Sequence, residues 1–325
     1  MTIYKLIGSV IGTGILSTAG ALAHAHAYKI RRRTAIISAN YKKLAEPAQL
    51  RIVHISDTHL LARQNKRRAF IRSLVQLHPD FVVLTGDLIA EDRAIPALLA
   101  DLGPLLTVPG AFVFGSNDYS GPELKNPLRY LAGHTGKSAT ESKDVVGQPL
   151  ATDKLRSGLT SGGWIDLNNA RQRVVVGDWT LDLVGIDDPH IDRHAMPAAS
   201  HNDDVTGPHM RIALAHAPYT WVLDMMHDDG ADITFAGHTH GGQVNLPGSR
   251  ALVTNCDLPT SYSNGLFRWP AHPQDGNPTV IKRDGSVDSR GTMLVNISAG
   301  IGTSPYTPIR TFCAPEAIMI DVVQV

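Results

Sequence analysis

Three short apolar runs, RIVHIS at 51–56, FVVLTG at 81–86 and AFVFG at 111–115, are separated by two stretches of helical periodicity, KRRAFIRSLVQLHPD at 66–80 and RAIPALLADL at 93–102. No other feature constrains the fold as strongly. Apolar strands joined by amphipathic helices build a βαβαβ unit, in which the strands run parallel and the helices cover the sheet faces. Each run ends in a small polar cluster, SDTH, TGD or GSND. Open α/β sheets bind ligands outside the carboxyl ends of their strands, so all three clusters fall where a site is expected.

Beyond this unit, residues 116–170 are rich in Gly, Ser, Asn and Lys and read as long loops over the site, with a helix near KNPLRYLAG. RVVVGD (173–178), WTLDLVGID (179–187) and RIALAH (211–216) read as further strands, and YTWVLDMMHDDG (219–230) as a helix. The run ADITF then leads into AGHTHGGQV at 236–244, residues 254–291 read as loop, and TMLVNIS (292–298) and EAIMIDVVQV (316–325) as closing strands. A chain of 325 residues that is 43% hydrophobic can bury a large core. With no repeat or linker to divide them, residues 34–325 are expected to form one catalytic domain. Lys+Arg and Asp+Glu number 30 each, so no global basic field attracts nucleic acid. Cys256 and Cys313 form no CxxC and are expected to be free thiols.

The N-terminus is a separate object. Leu6 to Ala27 carries no formal charge and is long enough for a membrane-spanning helix, and Lys29 and Arg31–Arg33 follow it. A cleaved signal peptide is the rival reading, since ALA and AHA offer cleavage sites, but the basic cluster lies after the apolar run rather than before it. Residues 1–33 are therefore expected to be a membrane anchor with a basic flank. The Lys/Arg asymmetry would place the body on the cytoplasmic face.

The residues that end apolar strands form a pattern: Asp57 and His59, Asp87, Asn117, His216, and His238 with His240. An Asp after a strand usually caps a helix or closes a turn, and a lone strand-end His is usually a hydrogen-bonded structural residue. Seven such residues on the strand ends of one inferred sheet system are harder to explain that way. His238 and His240, at i and i+2, point the same way in extended geometry, and the glycines around them admit close approach. Three Asp/Asn oxygens with four imidazoles suit Zn, Mn or Fe rather than Ca or Mg. Seven donors exceed one tetrahedral ion and suit two ions sharing a carboxylate.

In these motifs the sequence resembles the calcineurin-like metallophosphoesterases. Asp57-Thr58-His59, Gly86-Asp87, Gly115-Ser116-Asn117-Asp118, His216 and Gly237-His238-Thr239-His240 follow that family's order over about residues 50–245. The GHTHGGQ form is similar to that of membrane-associated bacterial members, some acting on lipid-linked phosphates. The resemblance implies a four-layer αββα sandwich of two mixed β-sheets flanked by helices. It also implies two divalent metal ions, one held by Asp57, His59 and His240, the other by His216, His238 and an Asn, with Asp87 bridging. The implied activity is hydrolysis of a phosphate ester or pyrophosphate through a bridging hydroxide. A metal-stabilised, non-catalytic scaffold of the same fold is the alternative.

The third motif departs from the family's G-N-H-D. Aligned without a gap, Ser116 takes the ligand position; slid by one residue, Asn117 does, and an amide oxygen is the better ligand for a hard cation. In either register the usual leaving-group histidine is absent. Asp118, or His190 or His194 of GIDDPHIDRH, are the candidates for the acid, and a pyrophosphate leaving group would lessen the need for one. GIGTSP at 300–305, with Arg310, reads either as a phosphate cradle or as a turn between closing strands, and Arg268 as a substrate contact or a surface residue.

Overall fold

A computed structural model describes residues 18–37, 46–122, 147–199, 205, 207–270, 286–288 and 292–325. Two mixed sheets carry the architecture. The first has seven strands in the order β13 (Ser286–Asp288), β1 (Lys29–Ile37), β15 (Glu316–Gln324), β2 (Ala48–Ile55), β3 (Phe81–Thr85), β4 (Gly110–Val113) and β5 (Ile165–Asp166). The second has six: β12 (Gly265–Trp269), β14 (Met293–Ile297), β9 (Ile233–Ala236), β8 (His209–Leu214), β7 (Trp179–Gly185) and β6 (Ala170–Val176). β2, β3 and β4 run parallel, as do β7, β8 and β9. A small hairpin, β10 (Asn245–Leu246) with β11 (Arg250–Ala251), follows the GHTH segment.

Period-two alternation builds the layers. In β3, Phe81 and Val83 join the core between the sheets, packing with Leu183, Ile212 and Phe235, while Val82 and Leu84 face the helices outside. Those helices are Asn65–Ser73, Ala94–Leu102 and Thr152–Ser161. In the second of them Ala94, Leu98 and Leu102 are buried at the four-residue spacing of one helix face, and Pro96 falls within the first turn, where a missing N–H costs little. Asp101 binds Arg68 at 2.7 Å and Arg72 at 2.5 Å and so ties the first two helices together. The helix Thr220–Asp228 covers the outer face of the second sheet through Val222, Leu223 and Met226. The result is helix, sheet, sheet, helix, as the family resemblance implied.

The structure differs from the sequence reading in three places. The 116–170 stretch contains the helix Thr152–Ser161 and β5, and the 254–291 stretch contains β12 and β13; the helix expected near KNPLRYLAG lies outside the described residues. The basic run Arg31–Arg33 lies inside β1, which pairs with β15 along its whole length, so the sheet begins within the expected flank.

The membrane anchor is also corrected. Residues 18–24 are helical, Ala21 and Ala25 are buried, and the Ala21 carbonyl accepts the Arg310 amide. Among the described residues no helix is long and apolar enough to cross a membrane. The described end of the apolar segment packs on the body, where a spanning helix would face lipid. Residues 1–17 lie outside the described residues.

Candidate metal centre

The seven strand-end residues follow the carboxyl ends of β2, β3, β4, β8 and β9, strands from both sheets. The chain turns sharply there. Asp57, His59, Asp87, His238 and His240 adopt positive φ of 48°, 38°, 53°, 68° and 50°. Left-handed backbone at a non-glycine residue costs about 1–3 kcal/mol, though Asp, Asn and His tolerate it best. Five of the seven candidates therefore sit on strained backbone that the surrounding fold must hold.

Two glycines make the approach of the sheets possible. A Cβ on Gly237 would fall on Ser56 Oγ and Asp57 Oδ2, and one on Gly115 would strike Asp87 Oδ1 and the His216 ring. Gly237→Ala is expected to displace Asp57 and to weaken Mn²⁺ binding by about 10-fold or more, with a stability loss of about 1–3 kcal/mol from overpacking. Calorimetric titration and denaturant unfolding read the two effects. Unchanged Mn²⁺ affinity would show that the contact is not limiting.

Two groups of donors converge with all their ligand atoms within 4.8 Å of one another: Asp57, His59 and His240, and Asp57, Asp87 and His216, every residue buried. Asp87 faces both ways, with Oδ2 3.5 Å from His59 Nε2 and Oδ1 3.4 Å from His216 Nε2. His240 Nε2 lies 3.6 Å from Asp57 Oδ1 and 3.1 Å from His59 Nε2. The Asn117 side-chain amide donates to Asp87 Oδ2 at 2.7 Å and its backbone amide to Oδ1 at 2.9 Å, so in this motif it is Asn117 whose side chain reaches the cluster. His238 stands at the edge, its ring 5.2 Å from that of His216 and 4.8 Å from that of His190.

Backbone carbonyls set the tautomers. His216 Nδ1–H donates to the Thr85 carbonyl at 2.6 Å, which leaves Nε2 to face Asp87. His238 Nε2–H donates to the Asn255 carbonyl at 3.1 Å, which leaves Nδ1 as its acceptor nitrogen. Carbonyl partners of this kind orient metal-binding imidazoles.

The electrostatics suit cations. Burial pulls His59 down to about 4 and holds His238 and His240 well below the ordinary histidine value, so all three are neutral donors near neutral pH. Burial, with Asp87 nearby, pushes Asp57 up to about 7. His216 and Asp87 form a buried ion pair that overrides desolvation, raising the imidazole well above its usual range and lowering the carboxyl well below. His216 Nε2 meets only the Asp87 carboxylate, 3.4 Å away and outside hydrogen-bond geometry. Closely spaced carboxylates and buried imidazole nitrogens that face one another fit divalent metal.

The candidate acids occupy different surroundings. Asp118 lies fully buried beneath the site, its oxygens accepting the amides of Leu88 at 2.7 Å, Gly115 at 3.0 Å and Ile89 at 3.3 Å. His190 stands at the rim beside His238, with Nδ1 2.7 Å from the Tyr219 hydroxyl. His194 packs on Trp221 instead. Arg310 is fully buried and donates to the carbonyls of Ala299, Gly302 and His240, which fits the turn reading of its segment rather than a phosphate cradle. Three residues given no role by the sequence reading, His54, Ser56 and Thr85, lie directly behind the candidate donors. Strand parity is the signal that could have found two of them, since His54 and Ser56 alternate onto one face of β2 and its extension.

The profile of the family described as calcineurin-like phosphoesterase matches residues 50–242, and the chain belongs to that family. Among its relatives is the uncharacterized metallophosphoesterase YkoQ of Bacillus subtilis, 27% identical over 236 residues, covering 70% of this chain and 76% of the relative. The UDP-2,3-diacylglucosamine pyrophosphatase LpxG of Chlamydia trachomatis is 26% identical over 260 residues, covering 70% and 76%. The phosphodiesterase YaeI of Escherichia coli is 28% identical over 252 residues, covering 77% and 72%.

Proposed function

We propose that the protein is a metal-dependent hydrolase of phosphodiester or pyrophosphate bonds, working with two divalent ions of the Mn, Fe or Zn type. The observation that carries this reading is the pair of donor groups that share Asp57, with Asp87 facing both His59 and His216, on the carboxyl ends of parallel strands. Asp57, His59 and His240 would hold one ion and His216, His238 and Asn117 the other, with Asp87 between them. Bound there, such ions supply Lewis acidity toward the phosphoryl oxygens and the attacking water. The names of LpxG and YaeI favour anhydride and diester substrates over monoesters. A lipid-linked substrate is the finer reading, supported by LpxG alone.

This chain's own groups orient the site. Asn117 donates to Asp87 and fixes the carboxylate plane between the two histidine groups. The Thr85 carbonyl holds His216 with Nε2 inward. His190, placed by the Tyr219 hydroxyl, is the group able to deliver a proton to a departing oxygen at the rim. Asp118 has no such freedom; its carboxylate organises the loops that carry Asp87 and Asn117.

The founding test counts metals and compares bis-p-nitrophenyl phosphate with p-nitrophenyl phosphate in Mn²⁺. Two ions per chain with faster diester turnover is expected. One ion or none, without turnover, would sink the reading and favour the scaffold. For His190→Ala, kcat on an alkyl phosphodiester is expected to fall by about 10²-fold while the p-nitrophenyl diester is little changed, because only the poor leaving group needs the proton. Equal losses on both would remove His190 from that role.

A further inference from the structure

A continuous line of buried hydrogen bonds connects the first strand to Asp57. Arg33 NH1 donates to Asn296 Oδ1 at 2.5 Å, and Asn296 Nδ2 contacts His54 Nδ1 at 2.9 Å. His54 Nε2 contacts Thr85 Oγ1 at 2.7 Å, Thr85 Oγ1 contacts Ser56 Oγ at 2.7 Å, and Ser56 Oγ donates to Asp57 Oδ2 at 2.6 Å. His54, Ser56, Thr85, Asn296 and Asp57 are fully buried, and the Arg33 side chain is 10% exposed. The line crosses between the sheets: Arg33, His54 and Thr85 belong to the first and Asn296 to the second.

The arginine end dictates the direction of the bonds. Arginine only donates, so the Asn296 oxygen must face it and the Asn296 NH₂ must face His54. His54 Nδ1 is then the acceptor, and a neutral imidazole carries its proton on Nε2. That N–H donates to Thr85, whose hydroxyl donates to Ser56, whose hydroxyl donates to Asp57 Oδ2. The dipoles align along the whole line, from the guanidinium to Asp57. Hydrogen bonds in such a series polarise one another in a low-dielectric interior. Thr85 serves twice, since its carbonyl also orients His216.

We infer that Arg33, Asn296, His54, Thr85 and Ser56 form a single positioning chain that holds the Asp57 carboxylate in its metal-binding orientation, with His54 locked in the Nε2–H tautomer. The inference rests on reading Asp57 as a metal ligand, and its test separates the two. In metal-free wild-type protein, ¹⁵N chemical shifts of the His54 ring are expected to show Nδ1 bare and Nε2 protonated. A proton on Nδ1 overturns the chain, whatever the protein does with metal.

The second arm is Mn²⁺ affinity by calorimetric titration. His54→Phe and Ser56→Ala are each expected to weaken binding by about 10-fold, the lower range for partners behind a ligand. Residues acting as one unit give non-additive losses, so the double variant is expected to lose little more than either single one. His54→Gln, which keeps one acceptor and one donor, is expected to recover most of the affinity. His54→Phe leaves the buried Asn296 amide without its acceptor, so a loss of stability is expected beside the fall in Mn²⁺ binding, and His54→Gln is expected to restore both. A purely structural role would lower stability and leave Mn²⁺ affinity unchanged. Additive losses, or wild-type Mn²⁺ affinity in His54→Phe, overturn the proposal. Wild-type protein that binds no Mn²⁺ would overturn the metal-centre reading and, with it, the chain's role in metal binding, while the His54 tautomer would still report on the chain's polarity.

Discussion

Asp87→Asn is expected to reduce diester turnover of the Mn²⁺-loaded protein by about 10²–10⁴-fold, the kinetic equivalent of the 3–5 kcal/mol lost when one member of a buried charge cluster is removed. The substitution is isosteric, so packing is preserved and only the charge between the His59 and His216 groups disappears. Metal content is expected to fall together with turnover. Full metal content with intact turnover would remove Asp87 from the centre.

In the metal-free protein the same substitution has a pH signature. Burial alone would lower the His216 pKa, but Asp87 at 3.4 Å raises it well above the ordinary value. A raised folded-state pKa contributes stability that is complete below the unfolded value of about 6.5 and is lost as pH rises through the folded value. Denaturant titrations in chelator are therefore expected to show a larger gap between wild type and Asp87→Asn near about pH 5.5 than above about pH 8. A gap that is flat across this range would mean that the pair does not ionise as the geometry implies.

Asp118→Ala is the second large effect, and it is expected on stability. Three backbone amides, of Gly115, Leu88 and Ile89, point at this one carboxylate. Each buried donor left without an acceptor costs about 1–3 kcal/mol, so a loss of about 3 kcal/mol or more is expected by denaturant unfolding. The amides belong to the loops that carry Asp87 and Asn117, so metal affinity is expected to fall as well. An Asp118→Ala protein of wild-type stability that had lost turnover only on poor leaving groups would restore Asp118 as the acid.

Much of the site was legible because its signals are local. An apolar run followed by Asp or His reports a strand end, and parallel strands gather their ends on one edge, so the sequence alone groups Asp57, Asp87, His216 and His240. The acids were less legible. Asp118 and His190 are both polar residues in loops, and nothing local distinguishes a carboxylate facing three amides from an imidazole at the rim. The basic run Arg31–Arg33 misled for a related reason. Three consecutive arginines after an apolar segment match a membrane flank, yet Arg31 pairs with Glu316, Arg32 contacts Met319 and Arg33 reaches Asn296. All three partners lie more than 250 residues away in the chain.

By itself, then, the sequence determined the strand-and-helix alternation, the edge on which the polar clusters lie and the chemistry of their donors, because periodicity and residue type are properties of a few neighbouring positions. Only the tertiary structure decided which strands sit side by side, why Gly237 admits no side chain, and how a strand at residue 33 is connected to a carboxylate at residue 57 through the opposite sheet. Those facts depend on contacts between segments distant in sequence, and such contacts exist only after the two sheets have packed.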